Sequence, residues 1–455
     1  MPGKDVTNIV LIGYPGVGKS SIGRGVAEAM GLPFLDTDEM IVAREGRPIT
    51  KIFRESGESH FRRLEHEIIA RVSEERGTVI STGGGCVLDE RNVENLRRRG
   101  MLVFLSATPE AIYDRIKDQE ERPLLLGKSR WELAEKVRLL MKRRAFQYLR
   151  TTNVIDVTCL TAPEIIDRIV RLYRGELSIR LVGLIGSKLE TTLSPLMHNA
   201  AFHYQKLDFH YQCFETDDLA AIVARVRELG IAGFNVTFPY KTIICEYLDE
   251  LSGVAAAIGA VNTVYHRDGR LIGDNTDSPG ALEHLRAVLA YRRSGYELAG
   301  KRALVLGTGG AARALVHALS TACCKVCVLG RDRAKAETVG NRFGVEWGDL
   351  SELGHQRPDI LVNATVVGMG ETAGRSLVPE DCIVPGQIVF DVVYFPMQTE
   401  LLRAAVERGA MAVDGVGMLV RQGALSYHGW TGKKPPLLLM ERVVRQFLKN
   451  QEGDS

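Results

Sequence analysis

Short unbroken apolar runs alternate with amphipathic stretches along most of the chain. Asn8-Ile-Val-Leu-Ile12 has the length and continuity of a strand covered on both faces, and a glycine-rich turn and a helical pattern through Met30 follow it. Phe34–Asp38, Thr78–Thr82, Met101–Leu105 and Asn153–Val157 predict further strands, and Ala162–Tyr173 predicts a closing helix. Strands alternating with helices predict a parallel sheet with helices on both faces. Arg174–Ser178 is a short linker without a Pro- or Ser-rich tether. A second series of strand and helix patterns opens at Arg180–Ile185 and runs to about Asp277. After a helix and a charged loop, Arg302–Leu306 opens a third α/β region, and the chain from Gly415 onward is helical with a polar end. The pattern is α/β throughout.

The 455 residues exceed one ordinary core and predict two or three domains. The hydrophobic fraction of 45% and charged fraction of 25% belong to a globular protein, and a net charge of +2 gives no reason to expect nucleic acid or an acidic membrane as partner. No apolar run approaches the roughly 20 residues of a membrane span. The opening Met1-Pro-Gly-Lys-Asp-Val6 predicts no signal peptide, because the apolar run after it leads straight into the glycine turn. Eight cysteines are scattered. Cys324-Lys-Val-Cys327 has redox or metal spacing, but no second pair or histidine cluster accompanies it, so the expectation is buried thiols in a reduced cytoplasm.

The first chemical motif is Gly13-Tyr-Pro-Gly16-Val17-Gly18-Lys19-Ser20, between a predicted strand and a predicted helix. The glycines let main-chain N–H groups turn toward phosphate oxygens. Lys19 would reach the β- and γ-phosphates of ATP, and the Ser20 hydroxyl would ligate Mg²⁺. Asp36-Thr-Asp38 closes the next predicted strand, where alternation would put both carboxylates on one face; the alternative is that they cap the following helix. Phe61-Arg62-Arg63-Leu-Glu65 follows. Gly83-Gly84-Gly85 after a strand suggests backbone pressed against a ligand. Arg122-Pro-Leu-Leu lies in a charged loop, and Arg144 stands four residues before Tyr148.

In this order the motifs resemble shikimate kinase, over about residues 7–173. The resemblance implies that Gly13, Gly16, Val17, Gly18, Lys19, Ser20 and Ser21 hold ATP, with Arg122 as a lid arginine. It implies that Asp38, Arg62, Gly84 and Arg144 hold shikimate, the two arginines clamping its carboxylate and Asp38 accepting a hydroxyl proton. Asp36 would help Ser20 order Mg²⁺.

A second glycine loop, Gly307-Thr308-Gly309-Gly310-Ala311-Ala312, follows the strand Arg302–Leu306 and opens a helix, the setting of a dinucleotide fold. The next strand ends in Gly330-Arg331-Asp332-Arg333-Ala-Lys335. The basic residues favour the 2′-phosphate of NADP, while Asp332 is the kind of residue that takes a free ribose hydroxyl. Upstream, Thr192-Leu-Ser194-Pro195, Asn235-Val-Thr237-Phe-Pro239-Tyr-Lys241, Gly259-Ala-Val-Asn262-Thr263 and Asp274-Asn-Thr-Asp277 place polar residues in otherwise apolar runs. Any one of these reads as turn chemistry. A lysine and an aspartate meeting in a cleft would share a proton and serve carbonyl reduction.

The four in series resemble shikimate dehydrogenase, as do Asn363-Ala-Thr365, Asp391-Val-Val-Tyr394-Phe-Pro396 and Gly417-Met418-Leu-Val-Arg-Gln422-Gly423. The likeness covers about 180–450. It implies Lys241 and Asp277 as the catalytic pair, and a shikimate pocket of Thr192, Ser194, Thr237, Asn262, Tyr394 and Gln422. NADP(H) would lie on Gly307, Thr308, Gly309, Gly310, Ala311, Arg331, Lys335 and Gly415. Thr192 stands where the family usually has serine and adds a methyl near the substrate carboxylate.

Together the resemblances imply a P-loop kinase domain over 1–174 and a linker at 175–179. A dehydrogenase substrate lobe over 180–277, completed by about 415–455, and a Rossmann lobe over 278–414 would follow. The implied enzyme is bifunctional: it reduces 3-dehydroshikimate to shikimate with NADPH and phosphorylates shikimate with MgATP. Its expected partners are these small molecules, with no nucleic acid or membrane, and a homo-oligomer is compatible with the sequence. Three other readings are a quinate dehydrogenase on the same fold, a gluconate-type kinase at the amino end, and a metabolite sensor made of decayed domains. Asp38, Arg62 and Arg144 speak against the second. Intact Lys19, Lys241 and Asp277, with no helix-turn-helix or basic region, speak against the third.

Overall fold

The computed structural model describes residues 7–116, 136–137, 139–141, 144, 146–158, 160–189, 191–293 and 295–453. The amino-terminal part holds strands β1 (Asn8–Gly13), β2 (Phe34–Asp36), β3 (Val79–Ser81), β4 (Gly100–Ser106) and β5 (Val154–Asp156). Its helices are α1 (Lys19–Met30), α2 (Thr37–Glu45), α3 (Ile49–Val72), α4 (Glu90–Arg99), α5 (Pro109–Ile116) and α6 (Ala162–Tyr173). The sheet order is β2–β3–β1–β4–β5, and every pairing is parallel. Ile9 to Ile12 have no exposed surface, which is why β1 reads as continuous apolar sequence rather than as alternation. In a parallel sheet the loops after β1, β2 and β3 all leave from one edge, so the three polar motifs emerge side by side. α3 is broken at Gly57, whose φ of 80° and ψ of 167° are not helical.

The next region contains β6 (Arg180–Gly186), α7 (Ser194–Tyr204), β7 (Phe209–Glu215), α8 (Leu219–Leu229), β8 (Gly233–Val236), β9 (Glu250–Leu251) and α9 (Gly253–Ile258). It closes with β10 (Thr263–Arg267), β11 (Arg270–Asp274) and α10 (Asp277–Arg292). Its sheet order is β7–β6–β8–β10–β11–β9, with β10 antiparallel to both β8 and β11. The third region has β12 (Arg302–Leu306), α11 (Gly310–Thr321), β13 (Lys325–Gly330), α12 (Arg333–Phe343), β14 (Glu346–Asp349), β15 (Ile360–Asn363), β16 (Ile388–Asp391), α13 (Glu400–Glu407) and β17 (Met411–Val413). These six strands form a parallel sheet in the order β14–β13–β12–β15–β16–β17. Helices α14 (Val416–Thr431) and α15 (Leu437–Gly453) end the chain. α14 packs on α10 and α15 on α7, so the carboxyl end returns to the second region.

Packing divides the chain into two compact units, Met1–Val182 with Asp208–Ile231, and Gly183–Leu207 with Ala232–Ser455. Within the first unit, Arg225 of α8 lies 5.6 Å from the Phe146 ring and 4.0 Å from Glu90. Glu90 is in turn held by both terminal nitrogens of buried Arg150 at 2.7 Å. No helix among the described residues is long and apolar enough to cross a membrane.

Candidate active sites

The amino-terminal site begins where β1 runs into α1. Gly16 and Gly18 have φ of 85° and 95°, a region L-residues with side chains rarely occupy, so the turn requires glycine at both. Lys19 is the first residue of α1 and only 8% exposed; its Nζ donates to the carbonyls of Gly13 at 2.8 Å and Tyr14 at 3.1 Å. Val17 is buried, while Ser20 and Ser21 are exposed. The Ser20 hydroxyl donates to Asp36 Oδ2 at 2.7 Å.

Asp36 and Asp38 do not share a strand face. β2 stops at Asp36, whose other carboxylate oxygen accepts the N–H groups of Asp38 at 2.9 Å and Glu39 at 3.2 Å and so caps α2. Strand alternation ends at that cap, and the first helical turn carries Asp38 to the site.

The triple glycine is pressed against protein side chains and backbone. A Cβ on Gly83 would lie 2.6 Å from Asp38 Oδ1 and 2.9 Å from Glu65 Oε1, and one on Gly84 2.7 Å from Pro15 of the phosphate loop. One on Gly85 would collide with the Arg62 guanidinium. Each glycine therefore seats a different neighbouring element. The Gly84 carbonyl accepts from Arg144 Nη1 at 3.2 Å and from the Tyr148 hydroxyl. Arg62 donates to Glu65 Oε2 at 2.7 Å. Glu65 is 1% exposed, and burial pushes its carboxyl above the usual carboxylate range against the pull of Arg62. Asp38, Arg62, Gly84 and Arg144 are thus gathered around one loop; Arg122 lies outside the described residues.

The carboxy-terminal site centres on Lys241, whose Nζ stands 2.5 Å from Asp277 Oδ2. Asp277 opens α10 and is 4% exposed; its other oxygen accepts from Asn262 Nδ2 at 2.8 Å. The same Asn262 amide reaches Gln422 Oε1 at 3.2 Å. A Cβ on Gly310 would lie 2.9 Å from Lys241 Cδ, so the second glycine loop touches the lysine stem directly. Thr192 and Ser194 form their own pair at the start of α7, Oγ1 to Oγ at 3.3 Å. The Tyr394 hydroxyl donates to the Thr191 carbonyl at 3.4 Å. Thr237 is tied by its main-chain N–H to Ile185 of β6 at 2.9 Å.

Gly307 joins β12 to α11 with φ of 117°, and a Cβ there would meet the Ala364 carbonyl at 3.1 Å. Thr308 packs its methyl against Gly330, and Gly309 caps α11. Gly415 lies against the Val392 and Val393 carbonyls too closely for any side chain. Arg331 is exposed at the end of β13, beside the start of α12. Asp332 caps α12, accepting from the N–H groups of Ala334 at 3.1 Å and Lys335 at 3.2 Å. Those N–H groups and the Lys335 ammonium, 3.5 Å away, hold its carboxyl below the usual range. The carboxylate that argued for a ribose hydroxyl is committed to the helix end.

Family models match both parts of the chain. That for shikimate kinase covers residues 15–174. The shikimate dehydrogenase substrate-binding domain covers 184–264, shikimate/quinate 5-dehydrogenase 288–374, and the shikimate 5′-dehydrogenase C-terminal domain 415–445. A shikimate dehydrogenase (NADP(+)) of Pyrococcus abyssi is 42% identical over 272 residues, which are 59% of this chain and 99% of that protein. The chain belongs to the shikimate dehydrogenase family and carries a shikimate kinase domain ahead of it. Among solved structures, the Thermus thermophilus shikimate 5-dehydrogenase in complex with NADP(H) and shikimate is 37% identical, with a TM-score of 0.53 over 59% of this chain and 99% of that one. The quinate dehydrogenase of Corynebacterium glutamicum in complex with NAD is 29% identical, with a TM-score of 0.54 and the same coverage. The protein is a bifunctional enzyme, a kinase followed by an NADP-dependent dehydrogenase.

Sequence reasoning left several residues of these sites without a role. In the kinase half they are Glu65, Tyr148 and Thr37, whose hydroxyl accepts the Gly83 N–H at 3.1 Å. In the dehydrogenase half a buried network of Asn235, Thr263, Thr276 and Ser426 backs Asn262. Their signal was polarity inside apolar runs, which does not distinguish a site from a buried turn. Cys324 and Cys327 are half-buried rather than fully so, and burial pushes both thiols up to about 11. No group of three or more histidine, cysteine or carboxylate side chains placed to hold a metal ion occurs among the described residues.

Proposed function

We propose that the dehydrogenase half reduces 3-dehydroshikimate through Lys241 and Asp277, and that the kinase half phosphorylates the shikimate formed, using Asp38 and Lys19. The carrying observation is the Lys241–Asp277 contact lying against Gly310 of the dinucleotide loop. The turn at Gly307 and the amino end of α11 fit a dinucleotide pyrophosphate, and bound NADPH would supply the hydride. As the carbonyl carbon gains that hydride, the Lys241 ammonium gives its proton to the oxygen, and Asp277 holds the ammonium in place and stabilises its charge. Thr192, Ser194, Thr237, Asn262, Tyr394 and Gln422 orient the substrate.

In the kinase half, Arg62 and Arg144 clamp the shikimate carboxylate, and Asp38 accepts the proton of the attacking hydroxyl. Lys19 turns to the β- and γ-phosphates of ATP. Ser20 and Asp36 place two oxygen ligands side by side, a donor set that suits Mg²⁺, which would neutralise phosphate charge.

A coupled assay tests this reading. With 3-dehydroshikimate, NADPH and MgATP, the purified chain is expected to oxidise NADPH and form shikimate 3-phosphate together, with little turnover of quinate. NADPH loss with shikimate accumulating would refute the kinase assignment, and no oxidation of NADPH or NADH would refute the dehydrogenase one.

The capping carboxylate also sets the cofactor preference. Asp332→Ser keeps an oxygen for the cap but removes a negative charge beside the groups offered to a 2′-phosphate. The KM for NADPH is expected to fall about fivefold, with that for NADH nearly unchanged. An unchanged NADPH KM would place the 2′-phosphate elsewhere.

A further inference from the structure

Tyr148 has no part in the reaction described above, yet its hydroxyl sits between the two loops that make the kinase site. It is 1% exposed, and its ring packs against Tyr14 and Phe104 with centroids 4.3 and 5.0 Å away. The hydroxyl contacts the Gly84 carbonyl of the triple glycine and lies 3.1 Å from the Gly13 carbonyl of the phosphate loop. Both carbonyls have a second, cationic donor: Lys19 Nζ at Gly13, 2.8 Å away, and Arg144 Nη1 at Gly84, 3.2 Å away. A hydroxyl carries one proton and satisfies one of the two carbonyls fully at a time.

We propose that Tyr148 is a positioning residue that couples nucleotide occupancy of the phosphate loop to shikimate binding in the kinase half. The inference rests on the kinase reading above. When a nucleotide binds, Lys19 turns to its phosphates and the Gly13 carbonyl loses that donor. A buried carbonyl left short of a donor is unfavourable, and the Tyr148 hydroxyl is in reach to replace it. Once the hydroxyl turns to Gly13, the Gly84 carbonyl depends on Arg144. That bond fixes the guanidinium beside the loop, where it is ready to receive the shikimate carboxylate. Nucleotide therefore tightens shikimate binding, and by linkage shikimate tightens nucleotide binding equally.

The test uses the full chain and the kinase reaction alone, with initial rates measured while shikimate and MgATP are varied together. The intersection of the rate lines gives the factor by which one substrate changes the affinity of the other. The parent is expected to show about fivefold or greater mutual tightening, the lower end of ordinary coupling between sites. Tyr148→Phe keeps the ring stack and removes the hydroxyl, and it is expected to bring the factor below about twofold. Its dehydrogenase turnover, measured on the same preparation, should equal that of the parent. A parent without mutual tightening would overturn the proposal. So would a Tyr148→Phe enzyme that loses turnover or stability but keeps the coupling factor, because that is what a merely structural tyrosine would do. Absence of any phosphoryl transfer in the parent would remove the kinase reading and the proposal with it, an outcome distinct from transfer with an unchanged factor.

Discussion

Lys241→Met is expected to lower kcat for 3-dehydroshikimate reduction by about three orders of magnitude, within the range a positioned acid or base contributes. Methionine keeps most of the aliphatic stem that lies against Gly310, so the dinucleotide loop should stay in place and the KM for NADPH should change little. What is lost is the proton donor and the partner of Asp277. That carboxylate is 4% exposed and keeps the Asn262 amide as a donor. Steady-state rates at saturating substrate check this, and a fall of less than tenfold would show that the proton comes from another group. Kinase turnover in the same variant should match the parent, because Lys241 lies in the second compact unit and the phosphate loop in the first.

Lys19→Met is expected to have the converse effect. Phosphorylation of shikimate should drop by about two to three orders of magnitude, the usual cost of removing one charge-stabilising donor from a preorganised site. The side chain is buried and folded back onto the Gly13 and Tyr14 carbonyls, so methionine fits the same channel without a charge. The variant should therefore fold, and its dehydrogenase rate serves as the internal control. Measuring shikimate 3-phosphate formation at saturating ATP decides the matter; a kinase rate within tenfold of the parent would exclude Lys19 from phosphate stabilisation.

Much of the fold was legible because long buried strands and capped helices carry strong local signals. Arg302–Leu306 and Ala162–Tyr173 have the predicted bounds, since an apolar run in a two-sided parallel sheet and a Thr161–Glu164 capping box mark their own ends. Phe34–Asp38 was predicted two residues too long, because the stop is a hydrogen bond from the main chain to Asp36, not a change in hydropathy. The hairpin of β10 and β11 and the antiparallel entry of β10 beside β8 were not foreseen, as strand alternation carries no direction.

By itself, the sequence determined the α/β class and the two glycine loops, because backbone geometry at a phosphate or pyrophosphate demands glycine at fixed spacing between a strand and a helix. It also supplied the candidate residues, through their order and their polarity in apolar surroundings. Only the tertiary structure decided which of them meet. Lys241 and Asp277, 36 residues apart, come within 2.5 Å, and Gly83, Gly84 and Gly85 seat Asp38, the phosphate loop and Arg62 in turn. It also committed Asp332 to a helix cap and put Tyr148 between two loops. Such outcomes depend on through-space distances of a few ångströms between distant segments. Those distances are set by the packing of whole sheets and helices and leave no periodic trace along the chain.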